Sequence, residues 1–256
     1  MDLKVAATGF VVGSMVGMTG MGGGALMTPA LILLGWARPM VAVGTDLMWG
    51  ALTKSVGAFV HFRQGTVDFS IVKRLALGSI PGALAGLALL ARLQAKHAPA
   101  TDRVVVKILG VALICVAFSL LVRSLWGSEL RARMQLDVAR RSGWLTSVIG
   151  TLVGFLVSLT SVGSGSLIVA CLVIIYPTLP LRRVVGSDVV HALALVGVSA
   201  LGHIGLGSIN GPLLAGLLVG SIPGVWLGSR LSMVFPEKVL GPIMASTLFF
   251  LGWKLL

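Results

Sequence analysis

The chain is written twice. Laid on residues 150–169, residues 9–28 agree at eight of twenty positions, among them Gly13 with Gly154, Thr19 with Thr160, Gly22 with Gly163 and Gly24 with Gly165. One inserted residue later VGTD (43–46) meets VGSD (185–188), and His61 meets His203. GTVD (65–68) then meets GSIN (207–210), and LGSIPG (77–82) meets VGSIPG (219–224). Order, spacing and register all agree, which is the mark of an internal duplication. Each copy holds five apolar segments, placed at 4–20, 24–36, 44–62, 72–91 and 104–123, then at 143–161, 165–176, 186–204, 212–234 and 239–256. Five is an odd number, so two such copies in one bilayer run in opposite senses, as an inverted repeat. The expected organisation is an N-terminal transmembrane repeat over 1–126, a basic cytoplasmic linker over 127–142 and a C-terminal transmembrane repeat over 143–256.

A membrane is the only solvent that suits the composition. Hydrophobic residues make up 56% of the chain and charged ones 11%, with a mean hydropathy of +1.01; a soluble domain carries about a quarter charged residues. The fold class expected is therefore an all-α polytopic membrane protein. Formal charge is +12, but the basic residues sit at the ends of apolar runs and not on one face among aromatics, which excludes nucleic acid as a partner. Their largest cluster is Arg123, Arg131, Arg133, Arg140 and Arg141, offset by Glu129 and Asp137, and the positive-inside rule places it in the cytoplasm. Arg63, Lys73, Arg74, Arg182 and Arg183 then fall inside as well, while the loop 205–212 is uncharged and outside; Arg92, Lys96 and Arg103 run against this pattern. Cys115 and Cys171 lie within apolar runs without ligand spacing, so free thiols are expected and no metal. The stretch MDLKVAATGFVVG reads as the first membrane segment and not as a signal peptide.

Two glycine-rich breaks, TGMGGGALMTP (19–29) and TSVGSGSLIVA (160–170), stand at matching places. Glycine inside a helix costs about 1 kcal/mol against alanine, so something must require bare backbone there. The segments that follow are too short for the roughly 20 residues a bilayer span needs, which predicts broken or re-entrant helices. Irregular backbone at membrane depth is tolerated where it lines a cavity or is buried in protein. Helices opening after such breaks aim free N–H groups and a positive dipole end at an anion. The binding residues expected are Thr19, Gly20, Gly22, Gly23, Gly24, Thr160, Ser161, Gly163, Ser164 and Gly165, with Ser166 as a further donor. Close helix packing is the alternative reading, and Gly9, Gly13 and Gly17 fit it. GMGGG lacks the Lys-Ser/Thr ending of a phosphate loop.

Ionisable residues inside apolar runs are functional candidates because the bilayer penalises them. Asp46, Gly50, Thr53, Gly57 and His61 share one helical face; its copy carries Asp188, Ala192, Leu195, Ser199 and His203, with His191 one turn from Asp188. Asp46 and His61 are about 22 Å apart along one helix, but antiparallel copies would bring Asp46 to His203 and Asp188 to His61. These five residues are the coupling or gating candidates; helix capping at Gly44-Thr45 is the alternative for Asp46. Lys54, whose copy is Val196, is a mid-segment ammonium suited to a bound anion, unless it snorkels or pairs with an acid. Pro81 and Pro223, in matched IPG triplets, are hinge candidates.

The blocks GSMVGMTGMGGGALMTPALILLG followed by AVGTDL, and GFLVSLTSVGSGSLIVACLVIIY followed by VVGSDVV, resemble the two halves of the TauE/SafE family, the sulfite exporter-like permeases of bacteria and archaea. The resemblance covers nearly the whole chain. It implies a multi-pass protein of the prokaryotic cytoplasmic (inner) membrane that moves a small sulfur-containing or organic anion such as sulfite, sulfoacetate, another sulfonate or thiosulfate. One departure is that the second block reads VGSGS where the first reads GMGGG.

Together these features predict a secondary transporter and not an enzyme. No nucleotide motif and no cofactor are expected, and a proton or sodium ion would provide coupling. The partners are a small anion and the lipid bilayer, and a homo-oligomer is compatible with the sequence. A passive anion channel is the nearer rival. An intramembrane serine protease built on Ser164 is the farther one, since a nucleophile needs a base in reach and Ser164 is matched by Gly23 in the other copy.

Overall fold

The structure is a computed structural model that describes residues 2–19, 23–96, 98–133, 142–176, 178–231 and 237–256. Gly20 and Gly22 of the first break, and Arg140 and Arg141 of the linker, lie outside the described residues. The described residues form ten helices: α1 (Leu3–Thr19), α2 (Gly24–Leu33), α3 (Pro39–Arg63), α4 (Phe69–Lys96), α5 (Ala98–Arg133), α6 (Ser142–Thr160), α7 (Ser166–Ile175), α8 (Leu181–Gly205), α9 (Gly211–Leu231) and α10 (Glu237–Leu255). No strand occurs among them. Five are long and apolar enough to cross a membrane, over Phe69–Lys96, Ala100–Val122, Gly143–Thr160, Leu181–Gly205 and Gly211–Leu231. α3 has the length, with 25 residues, but carries Asp46, Lys54 and other polar groups that lower its hydropathy.

Repeated sequence gives repeated local structure. α3 opens on Arg38-Pro39 with proline in the first turn, where its missing N–H is not needed. It stops at Gly65, whose φ of +64° a glycine adopts without strain, and Thr66 N–H closes the end on His61 O. α8 stops in the same way, with Gly207 at φ +63° and Ser208 N–H bonded to His203 O. Asp68 Oδ1 then accepts the N–H groups of Ser70 and Ile71 at the start of α4, and Asn210 Oδ1 accepts that of Leu213 at the start of α9. Both turns dock on the other copy: Asp68 N–H donates to Ser187 Oγ at 2.8 Å and Asn210 N–H to Thr45 Oγ1 at 3.1 Å.

Small residues decide which helices meet. α1 packs on α9 and α4 on α6, with Gly13 against the backbone of Ser221 and Gly154 against that of Ser79. Such contacts drive helix association in lipid, where apolar side chains gain nothing by leaving the acyl chains. Gly9 and Gly17 serve the same α1–α9 contact, against Leu217 and Val225. α5 packs on α10 and α3 on α8. The last pair is antiparallel: Gly44 near the start of α3 lies against Ser208 beyond the end of α8, and Gly186 near the start of α8 lies against Thr66 beyond the end of α3.

The two short helices have ten residues each, about 15 Å long. The start of α1 (Asp2, Lys4, Val5) and the segment after α2 (Leu34, Gly35, Trp36) line one cavity with Asn210 and Pro212. The end of α7 likewise returns to the start of α6, where Tyr176 Oη hydrogen-bonds Thr146 Oγ1 at 2.9 Å and accepts from Arg74 at 3.3 Å. α5 differs from expectation, continuing helically to Arg133 and so into the stretch read as linker. Cys115 and Cys171 are free thiols on α5 and α7. Pro81 and Pro223 sit inside continuous helices with their rings on the exposed side, while Ser79 and Ser221 two residues earlier face inward.

Candidate functional site

The two breaks meet in the middle of the molecule. A Cβ on Gly24, the first residue of α2, would overlap the backbone carbonyl of Ser161, and one on Gly23 would overlap the indole of Trp49. The bare backbone at these two positions is thus required by protein atoms in close approach. Around the second break the chain turns sharply, with Ser161 at φ +62°, Gly163 at +106° and Gly165 at +146°. Ser161 is a strained choice for the left-handed region, where non-glycine residues are uncommon. α2 and α7 open on Gly23 and Gly165 with no side-chain cap at either N-terminus.

Beside this junction lies a buried polar layer. Asp46 is 1% exposed and stands two turns inside α3, which removes it from a capping role. Its Oδ2 accepts the Thr28 hydroxyl at 2.5 Å and its Oδ1 has no partner. Asp188 on α8 is 3% exposed with an unpartnered Oδ1. Lys54, half-buried and two turns from Asp46 on α3, donates from Nζ to Ser164 O at 2.8 Å. Between Asp46 and Lys54, one helical turn from each, Gly50 is buried although a Cβ there would meet no atom within 4 Å. Free space therefore opens over Gly50, between the turns that carry Asp46 and Lys54.

The histidines go elsewhere. His203 Nδ1 bonds Ser208 Oγ at 2.7 Å and its Nε2 faces Ser158 O at 2.9 Å; His61 Nδ1 bonds Thr66 Oγ1 at 2.9 Å. The expected pairs Asp46–His203 and Asp188–His61 do not form, because each histidine is taken by the hydroxyl five residues later in its own turn. Antiparallel packing brings the right helix ends together, but the side chains point to different neighbours. His191 Nε2 bonds Ser79 Oγ at 2.7 Å, and its buried Nδ1 has no partner. No histidine bonds Ser164 among the described residues, so the protease arrangement is absent there. Thr19 and Thr160 donate their hydroxyl hydrogens to Met15 O and Leu156 O, both at 2.8 Å, in their own helices.

Two partners escaped the sequence reading. Thr28 lies outside the glycine block, and only the fold places it on Asp46. Trp49 Nε1–H donates to Ser221 Oγ at 2.7 Å, the counterpart of the His191–Ser79 bond. The signal was present, since Trp49 and His191 both follow the matched aspartate by three residues and both serines belong to the matched SIPG blocks.

Comparison with known proteins gives this layer its context. The family described as "Sulfite exporter TauE/SafE" matches residues 5–255. The chain is 41% identical to the probable membrane transporter protein YjnA of Bacillus subtilis (strain 168), with both proteins covered along their whole length. It is 27% identical to the probable membrane transporter protein YdhB of the same organism over 90% of each chain, and 35% identical to YunE, another probable membrane transporter there, over 42% of this chain and 40% of that one. No solved structure matches. An apolar helical bundle with buried charged side chains agrees with membrane transport. The chain belongs to the TauE/SafE family of membrane transporters.

Proposed function

We propose that the protein is a secondary transporter of the prokaryotic cytoplasmic membrane that moves a small sulfur-containing or organic anion, such as sulfite, a sulfonate like sulfoacetate, or thiosulfate, with a proton or a sodium ion as coupling partner. The observation that carries this reading is the free space over Gly50, one turn from Lys54, whose ammonium reaches Ser164 O in the second break. An oxyanion there would take the remaining Lys54 donors and the uncapped N–H groups of α2 and α7. Gly23, Gly24, Ser161, Gly163, Ser164 and Gly165 shape the space, and Gly20, Gly22, Thr19 and Thr160 flank it in sequence.

The architecture proposed is a pair of inverted five-helix repeats, 1–126 and 143–256, each opening with a re-entrant hairpin (α1–α2 and α6–α7). Four reciprocal contacts support it: α1 on α9 with α4 on α6, Trp49–Ser221 with His191–Ser79, Asn210–Thr45 with Asp68–Ser187, and Gly44–Ser208 with Gly186–Thr66. Each hairpin returns to the face it started from, and the two start from opposite faces. The arginines of 127–142 argue for a cytoplasmic face at the α6 start. In this scheme Pro81 and Pro223 are hinges between accessible states, and His61, His203 and His191 hold the turns and helices that move.

Thermal shifts of the detergent-solubilised protein with sulfite, thiosulfate, sulfoacetate, taurine, phosphate and carboxylates test the substrate class. A shift with one sulfur oxyanion, abolished by Gly50→Val, is expected; a panel without any shift would sink the anion assignment. Uptake into proteoliposomes separates a carrier from a passive channel, since only a carrier accumulates the anion against its gradient.

A further inference from the structure

We infer that Asp46, Asp188 and Lys54 form a proton-binding site in which the lysine is a built-in cation, so that the anion crosses with protons, without sodium and without net charge. The inference rests on the transport reading above and assigns its coupling ion. Three observations carry it. Both carboxylates are almost wholly buried and each keeps one oxygen without a donor. The Lys54 ammonium, two turns from Asp46 on α3 and one turn from Gly57, which packs on Val189 beside Asp188, is already anchored to Ser164 O. The free space over Gly50, where a Cβ would meet no atom within 4 Å, opens on α3 between Asp46 and Lys54.

Charge counting then fixes the stoichiometry. With both acids ionised the resting layer carries −1, a charge that burial in the bilayer penalises by several kcal/mol. One proton on either unpartnered carboxylate oxygen brings the layer to zero. A bound monoanion adds −1, which a second proton cancels. The loaded carrier thus crosses with two protons and one anion and the empty one returns with one proton, for a net transfer of one proton per monoanion and no charge. A dianion would cross as its singly protonated form, the extra proton riding on the substrate itself and bringing the net to two.

The other groups facing the layer leave this count unchanged. α8 adds His191, held by Ser79, and His203, held by Ser208 and Ser158 O. α2 brings the Thr28 hydroxyl, and the break before α7 brings Ser161 and Ser164. α4 and α9 present Ser79 and Ser221 here, while Lys73, Arg74, Arg92, Lys96 and Arg230 lie toward their ends. Lys54 is also where the pseudo-symmetry breaks, its counterpart being Val196. Without the ammonium the layer would hold two bare carboxylates and would need an external cation.

Infrared difference spectra of the purified full-length protein in H₂O and D₂O test the site without any substrate. Wild type at neutral pH is expected to show one deuterium-sensitive protonated-carboxyl band that both Asp46→Asn and Asp188→Asn remove. Lys54→Met is expected to double the band and to let sodium diminish it, which sodium does not do in wild type. Absence of the band in wild type, or its persistence in both Asn variants, overturns the inference. Proteoliposome uptake of sulfite, thiosulfate and sulfoacetate adds the second arm: a pH gradient is expected to drive it, while a membrane potential leaves it unchanged. Sodium stimulation, or a response near the roughly fifty-fold that about 100 mV exerts on one uncompensated charge, also overturns it. If the band behaves as stated and none of these anions moves, the proton site stands and the substrate assignment falls.

Discussion

The two aspartates occupy equivalent places in the two copies, yet only one has a hydroxyl to lean on. Asp46 is held by Thr28, while the residue matching Thr28 in the second copy is Val169, and Asp188 keeps a buried Oδ1 without a partner. The ring three residues on differs too, an indole in the first copy and an imidazole in the second, though each reaches the serine of the opposite SIPG block. The local contacts are therefore matched between the copies and the chemistry is not. Duplication supplies two matching breaks, and substitution at a handful of inward positions makes one half a structural clasp and the other an ionisable partner.

The sharpest way to break this comparison uses two glycines of the first copy. Gly24→Val forces a side chain into the Ser161 backbone and should cost about 3 kcal/mol, read as a large fall in thermal midpoint or loss of the monodisperse protein. Gly50→Val points into free space, so its stability should stay within about 0.5 kcal/mol of wild type while anion-induced thermal shifts vanish. Equal damage from both would mean that the space over Gly50 is not there.

A smaller effect is expected from the clasp. Thr28→Val strips Asp46 of its short hydrogen bond and should destabilise by about 1–3 kcal/mol, whereas Val169→Thr, the reciprocal change, should stay within about 1 kcal/mol. Thermal unfolding of the two variants would refute the asymmetry if the order were reversed. The crossed ring contacts come next: Ser79→Ala and Ser221→Ala should each lose about 1 kcal/mol, and double-mutant cycles with His191→Phe and Trp49→Phe should show coupling within each pair and none between pairs.

The mildest test concerns the caps. Asp68 and Asn210 are equivalent, but only Asp68 titrates. The Ser70 hydroxyl holds its carboxyl below the usual carboxylate range, helped by the Ser70 and Ile71 N–H groups and the Arg183 charge and opposed by partial burial. Each cap should contribute about 0.5–1 kcal/mol against alanine. A lowered folded pKa means that the charged contribution of Asp68 is complete above its unfolded value near 3.9 and fades as pH falls through the folded one. Stability loss from Asp68→Ala should therefore shrink in acid, while that from Asn210→Ala should not follow the same course.

Much of the fold could be read directly from the residues. Ten helices, two short ones behind glycine breaks, and the close-packed Gly9, Gly13 and Gly17 stripe followed from apolar length, glycine spacing and the repeat. The ends of α3 and α8 fell within one residue of the expected segment ends at 62 and 204, because apolarity stops there just before the Gly65 and Gly207 turns. α5 ran past its expected end because loss of apolarity ends a membrane span but not a helix. The Asp–His pairs failed for a different reason: spacing gives the face and the level of a side chain, but not which of several neighbours it bonds.

By itself the sequence determined the solvent, the duplication, the positions of the breaks and the identity of the intramembrane charges, because each is a property of composition or period along the chain. Only tertiary structure decided that Gly23 and Gly24 make room for Trp49 and Ser161, that Thr28 and not a histidine holds Asp46, and that Lys54 reaches Ser164 O across the repeat boundary. Those partners lie far apart in the chain, and no local propensity encodes a contact whose two sides are brought together only when the helices pack.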